Sequence, residues 1–194
     1  MANIFQKLEF EAFRAGITPR TKESMNWFRR KAQAMGRVNR RDLMNQDPVE
    51  LKSRGIIGNM YMYFYDPKTK DTLPYYDSFP LTIVVGPAPG GFYGLNLHYL
   101  PPTLRARMLD GLMDITNNKS YDETTKFQVR YNTLKRVSDL KYYKPCFKHY
   151  LNEHVRSRFA YVPPPEWEIA TFLPTADFQK SGRNAVYRDS RKQI

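Results

Sequence analysis

Few residues in this chain are spaced for catalysis. Cys146, His149 and His154 form a C-x2-H-x4-H run. Zinc needs three or four such ligands converging on one point. On a helix Cys146 and His149 converge, His154 turns off that face, and no fourth ligand is near. A packed cysteine and hydrogen-bonded histidines are the simpler reading. Cys146 also has Lys144, Lys148 and His149 beside it in sequence, neighbours of the kind that lower a thiol pKa. No assisting histidine for a thiol nucleophile is marked elsewhere. Asp66-Pro67-Lys68 has the acid-x-lysine form that metal-dependent nucleases set on adjoining strands around Mg²⁺, with Asp47 or Glu50 upstream. It is equally an ordinary turn sequence. Gly86 to Gly91 lacks the Gly-Lys-Ser/Thr of a phosphate loop. The chain is therefore read as a non-enzyme, with no metal and no cofactor.

Binding chemistry is better represented. Lysine and arginine number 31 against 19 aspartates and glutamates, a formal charge of +12 over 194 residues. The excess is uneven. Residues 1–55 carry 12 basic and 6 acidic side chains, residues 56–179 carry 14 and 12, and residues 180–194 carry 5 and 1. The division reads as a basic N-terminal helical arm, a compact domain over 56–179 and a basic C-terminal tail. The candidate contacts with nucleic acid or with neighbouring subunits are Arg29, Arg30, Lys31, Arg37, Arg40 and Arg41 in the first segment. Lys126, Arg130, Lys135 and Arg136 supply a local cluster in the middle. Lys180, Arg183, Arg188, Arg191 and Lys192 supply the tail. Such side chains suit phosphate backbones, where each neutralised phosphate releases a counterion. They suit acidic protein surfaces equally well. Tyr142 and Tyr143, between the basic residues of the middle segment, are candidates to stack on unpaired bases.

These residues need elements to hold them. Aromatics make up 14% of the chain, too many for a disordered one. No apolar run reaches the ~18 residues of a membrane helix, and the first residues are not followed by an apolar secretion segment. The single cysteine excludes an internal disulfide framework. A helix is expected from Thr21 to about Met35, with Met25, Phe28, Ala32 and Met35 on one face and Arg29, Arg30 and Lys31 spread around the axis. A second short segment begins at Asn39 and stops near Asp47-Pro48. Met60–Tyr65, Pro80–Val85 and Phe92–His98 read as strands joined by Pro/Gly turns. Helices are expected over Thr103–Ile115, Asp122–Leu140 and Lys144–Val155. Ser157–Val162 reads as a returning strand, Glu166–Phe172 as a short apolar segment with helical character, and the chain after Gln179 as a flexible arm. The fold class is α+β: a small antiparallel sheet or partial β-barrel packed with several helices and flanked by basic terminal arms.

Two stretches are distinctive. One is Tyr63-Phe64-Tyr65-Asp66-Pro67-Lys68 with Leu73-Pro74-Tyr75-Tyr76-Asp77-Ser78-Phe79-Pro80-Leu81. The other is Gly91-Phe92-Tyr93-Gly94-Leu95-Asn96-Leu97-His98-Tyr99-Leu100-Pro101-Pro102. Together they resemble proteins of large contractile-tailed bacteriophages, and the similarity extends through His154–Arg158 and Glu166-Trp167 to Phe178. The resemblance implies a structural or assembly protein of the virion, made in the host bacterial cytoplasm. Its partners would be other virion proteins in a multi-subunit symmetric assembly, with double-stranded DNA as the alternative. It carries over no active-site residue. Three readings follow, in order: a tail, baseplate or neck component docking through basic arms; a DNA-end-binding protein of the head; and a metal-dependent nuclease using Asp66 and Lys68. Tyr hydroxyls and His98 are expected to bond loop backbone groups that a small sheet leaves bare.

Overall fold

Helix α1, Ile4–Arg14, is opened by a capping box: Asn3 Oδ1 accepts from the Gln6 N–H at 2.8 Å and Gln6 Oε1 accepts from the Asn3 N–H at 3.2 Å. It buries Phe5, Leu8 and Ala12 at helical spacing. Helix α2, Lys22–Ala34, repeats the device with Thr21 and Ser24, and buries Ser24, Phe28 and Ala32. Helix α3, Arg40–Asn45, starts on Asn39 and buries Leu43 and Met44. The computed structural model describes residues 3–46, 49–117, 122, 132 and 141–194.

A six-stranded antiparallel sheet follows. Its strands are β1 (Leu51–Lys52), β2 (Met60–Met62), β4 (Leu81–Ala88), β5 (Gly91–Asn96), β6 (Phe147–Leu151) and β7 (Phe159–Val162), in the order β1-β7-β2-β4-β5-β6. Strands β3 (Tyr76–Asp77) and β8 (Phe178–Gln179) form a separate antiparallel pair. The sheet is open, and the fold is α+β. Alternation along the strands gives it two apolar faces. Met60, Met62, Leu81, Ile83, Leu95 and Val162 join the main core with α1, α2, α4 (Pro102–Asn117), α5 (Trp167–Phe172) and α6 (Arg183–Gln193). Tyr61, Tyr63, Tyr65, Val84, Phe92, Tyr150 and Phe159 form a second cluster. Tyr63 is its hub, with the rings of Phe159, Tyr150, Phe92 and Tyr65 at 4.8, 5.6, 6.0 and 6.4 Å. A register shift between Val84 and Gly86 interrupts β4 next to Val84 of this cluster.

Two expectations change. Lys144–Val155 is not a helix. A 3-10 turn over Lys141–Cys146 leads into strand β6, and a second one covers Asn152–His154. Phe147, Tyr150 and Leu151 have helical spacing, yet pairing Phe147–Leu151 against Gly91–Leu95 satisfies the backbone of an otherwise open sheet edge. The chain after Gln179 is not a loose arm either. Helix α6 buries Val186 and Ser190 and packs against the 3-10 turns at Leu97–Tyr99 and Lys141–Cys146. The helix expected over 122–140 falls almost wholly outside the described residues, and Lys126, Arg130, Lys135 and Arg136 lie outside them.

The β5–β6 pairing depends on glycine. A Cβ on Gly91 would stand 1.8 Å from the Tyr150 carbonyl oxygen, a backbone atom that cannot swing aside. Gly91→Ala is expected to destabilise the protein by about 1–3 kcal/mol, read as a lower urea midpoint at unchanged slope.

Candidate nucleic-acid interface

The basic side chains fall into two groups. Some hold the fold. Lys31 pairs with Glu11 at 2.8 Å and lies 5.1 Å from the centre of the Trp27 ring. Arg40 donates to the carbonyls of Thr175 and Ala176 at 2.8 Å each and pairs with Asp177 at 3.3 Å. Lys180, with φ at 65°, donates its ammonium to the carbonyls of Lys70, Asp71 and Leu73 at 2.5, 2.9 and 3.2 Å. Others face solvent. Arg29, Arg30, Arg37 and Arg41 are exposed, as are Arg183, Arg188, Arg191 and Lys192 on α6, the last 3.7 Å from Asp189. Arg29 lines a groove of about 380 Å³ with Lys22 and Arg107, between α2 and α4.

A second basic surface joins residues far apart in sequence. Tyr65 and Tyr76 line two grooves at once. One, of about 450 Å³, includes Arg41, Phe64 and Arg156. The other, of about 360 Å³, includes Lys68, Tyr99, Lys148 and Tyr150. The two grooves thus share Tyr65 and Tyr76 and each has cations in its lining. The sequence pattern predicts a helix at Lys148. On strand β6 it points to the same side as Tyr150, and its ammonium lies 4.1 Å from the centre of the Tyr99 ring. The strand assignment is the signal that would have found it.

Beneath this surface lies a buried polar network. Asp77 Oδ2 accepts from Asn96 Nδ2 at 3.0 Å and sits 2.6 Å from His98 Nδ1. Asp77 Oδ1 accepts from the N–H groups of Phe79 and Asp177, both at 3.1 Å. His98 Nε2 lies 3.1 Å from Thr175 Oγ1, and the second hydrogen of Asn96 Nδ2 goes to the Tyr150 hydroxyl at 3.1 Å. Burial by itself raises the Asp77 carboxyl. The His98 ring, Asn96 and the Asp177 N–H outweigh it and hold the carboxyl below its ordinary range. Arg105, fully buried, donates to the carbonyls of Leu100 (2.6 Å), Thr171 (3.0 Å) and His98 (3.2 Å) and to the Tyr187 hydroxyl (2.6 Å). His98 thus bonds side chains through its ring and Arg105 through its carbonyl, rather than bare loop backbone alone.

The catalytic spacings do not assemble. Cys146 is buried in the main core, and burial pushes its thiol up to about 12, away from nucleophilic use. His149 bonds the Pro89 carbonyl and His154 the Asp66 carbonyl, so the C-x2-H-x4-H residues point to different places. Asp66 binds Lys70 at 3.1 Å and lies 3.7 Å from Arg156, while Glu50 is paired with Lys52. Among the described residues no three His, Cys, Asp or Glu side chains gather as a metal site.

The family model described as phage T4 terminal DNA protecting protein matches residues 5–192. The chain belongs to that family. No curated protein and no solved structure matches it. Family membership makes this a phage protein connected with DNA ends, which favours the second of the three sequence readings over the tail or baseplate one. Among the described residues no helix is long and apolar enough to cross a membrane.

The network beneath the grooves predicts an acid-sensitive protein. A carboxyl held below its ordinary 3.8 adds stability that is complete above that pH and is lost as pH falls through the lower folded value. Asp77→Asn leaves His98 and two backbone N–H groups without their anionic partner. It should cost about 1.5–3 kcal/mol near pH 7, and the gap to the parent should narrow in urea titrations run below pH 3.8.

Proposed function

We propose that this protein binds the ends of linear double-stranded phage DNA and shields them from exonucleases without catalysing a reaction. The observation that carries this reading is the match to a terminal DNA protecting family over 5–192, which takes in both basic ends as well as the sheet. The surface chemistry supports it. Exposed arginines on α2 and α6 offer charge to phosphates, which positions a duplex without reading its sequence. The two tyrosine-lined grooves offer rings to bases that a duplex exposes only at its end. The same cations would also dock on acidic protein surfaces, so a virion site beside the packaged DNA end accommodates both roles.

A blunt linear duplex mixed with the protein near ~150 mM salt should outlast the naked duplex in an exonuclease time course. Affinity should fall steeply with salt, by a slope of about 0.9 for each phosphate contacted. Replacing Arg29, Arg30, Arg188 and Arg191 together with glutamine should flatten that slope and shorten the protection. Unchanged digestion by the exonuclease at saturating protein would overturn the reading.

A further inference from the structure

The groove beside strand β6 is built differently from the exposed arginines. Lys148 is only partly exposed, and among the described residues no carboxylate or hydrogen-bond acceptor meets its ammonium, which rests on the Tyr99 ring. Burial lowers its pKa, the sign of a cation short of an anion. Asp77 lines the same groove, but its oxygens are taken by Phe79, Asn96, His98 and Asp177. Lys68, exposed and without a carboxylate partner among the described residues, lines the same groove. Lys68 belongs to the 66–73 turn, which is latched by the three Lys180 hydrogen bonds and by the Asp66–Lys70 pair. Tyr76, partly exposed, lines the same groove, together with the buried Tyr65, Tyr99 and Tyr150. At about 360 Å³ the groove is within the range of small-ligand sites, ~300–1,000 Å³.

We propose that this groove receives the terminal nucleotide of the DNA, with its 5′-phosphomonoester on Lys148 and Lys68 and its base against the Tyr76 ring. The proposal rests on the end-binding reading and names the chemical group recognised there. A phosphomonoester carries about −1.5 to −2 charges near pH 7, an internal diester only one, so a pair of cations favours the end. A recessed ammonium adds to this. A chain terminus can enter the groove, whereas phosphates within a duplex stay on its outer rim.

The test compares the full chain's affinity for a blunt duplex carrying 5′-phosphates and for the same duplex with 5′-hydroxyls, at one salt concentration. The phosphorylated duplex should bind about tenfold more tightly, the worth of one charge-assisted contact. Lys148→Met should abolish that preference while leaving the thermal midpoint near that of the parent. Lys148→Arg should retain part of it. A deoxynucleoside 5′-monophosphate should compete with the phosphorylated duplex and the nucleoside should not. Equal binding of the two duplexes by the parent would overturn this proposal and leave end binding standing. Binding of neither would overturn both. Lys148-dependent capture of the free nucleotide with no preference between the duplexes would show a nucleotide site rather than an end site, and would also overturn it.

Discussion

A carboxylate buried as deeply as Asp77 survives only if donors surround it, and the fold is arranged around supplying them. Asn96 comes from the end of β5, His98 from the turn after it, and two N–H groups from the chains flanking β3 and β8. Through its carbonyl, His98 is also tied to Arg105 of α4, which holds the carbonyl of Thr171 in α5 and the hydroxyl of Tyr187 in α6. One connected set of polar groups thus joins the sheet, the β3–β8 pair and three helices. Removing a member leaves a desolvated group without a partner, which costs more than the bond itself is worth.

The network also fixes the tyrosine surface. Tyr76 precedes Asp77 on β3, the Tyr150 hydroxyl is held by Asn96, and the Tyr65 hydroxyl accepts from the Leu151 N–H at 3.1 Å. Rings anchored at their polar ends lose little freedom when a base stacks on them. The cations around them divide the work. Lys31, Arg40 and Lys180 close contacts inside the fold, whereas the arginines Arg29 and Arg30 of α2 and Arg183, Arg188 and Arg191 of α6 are exposed.

What the sequence displayed depended on how locally each signal is written. The strand at Met60, the one around Leu81–Val85 and helix α2 announce themselves through β-branched runs, caps and apolar periodicity, all short-range features. Helix α1 is written just as locally, in its Asn3–Gln6 box and the spacing of Phe5, Leu8 and Ala12. Strand β6 was read as helix because Phe147, Tyr150 and Leu151 fit both periods; only the partner β5 decides. Helix α6 has too few apolar residues to predict its docking, which hangs on Val186 and the distant Arg105–Tyr187 bond. The groove was least legible. Tyr65, Lys68, Tyr76, Tyr99 and Lys148 span some eighty residues and meet only through sheet register and the Lys180 latch.

The central claim is that ends, and not merely charge, are recognised. It is tested most directly by competition at ~150 mM salt between a linear blunt-ended fragment and the same sequence closed into a relaxed circle. The predicted result is that the circle displaces the protein from the fragment only at a large excess, since it offers the same phosphates and no end. Equal competition by the circle, mass for mass, would contradict the account and reduce the protein to a general binder of DNA.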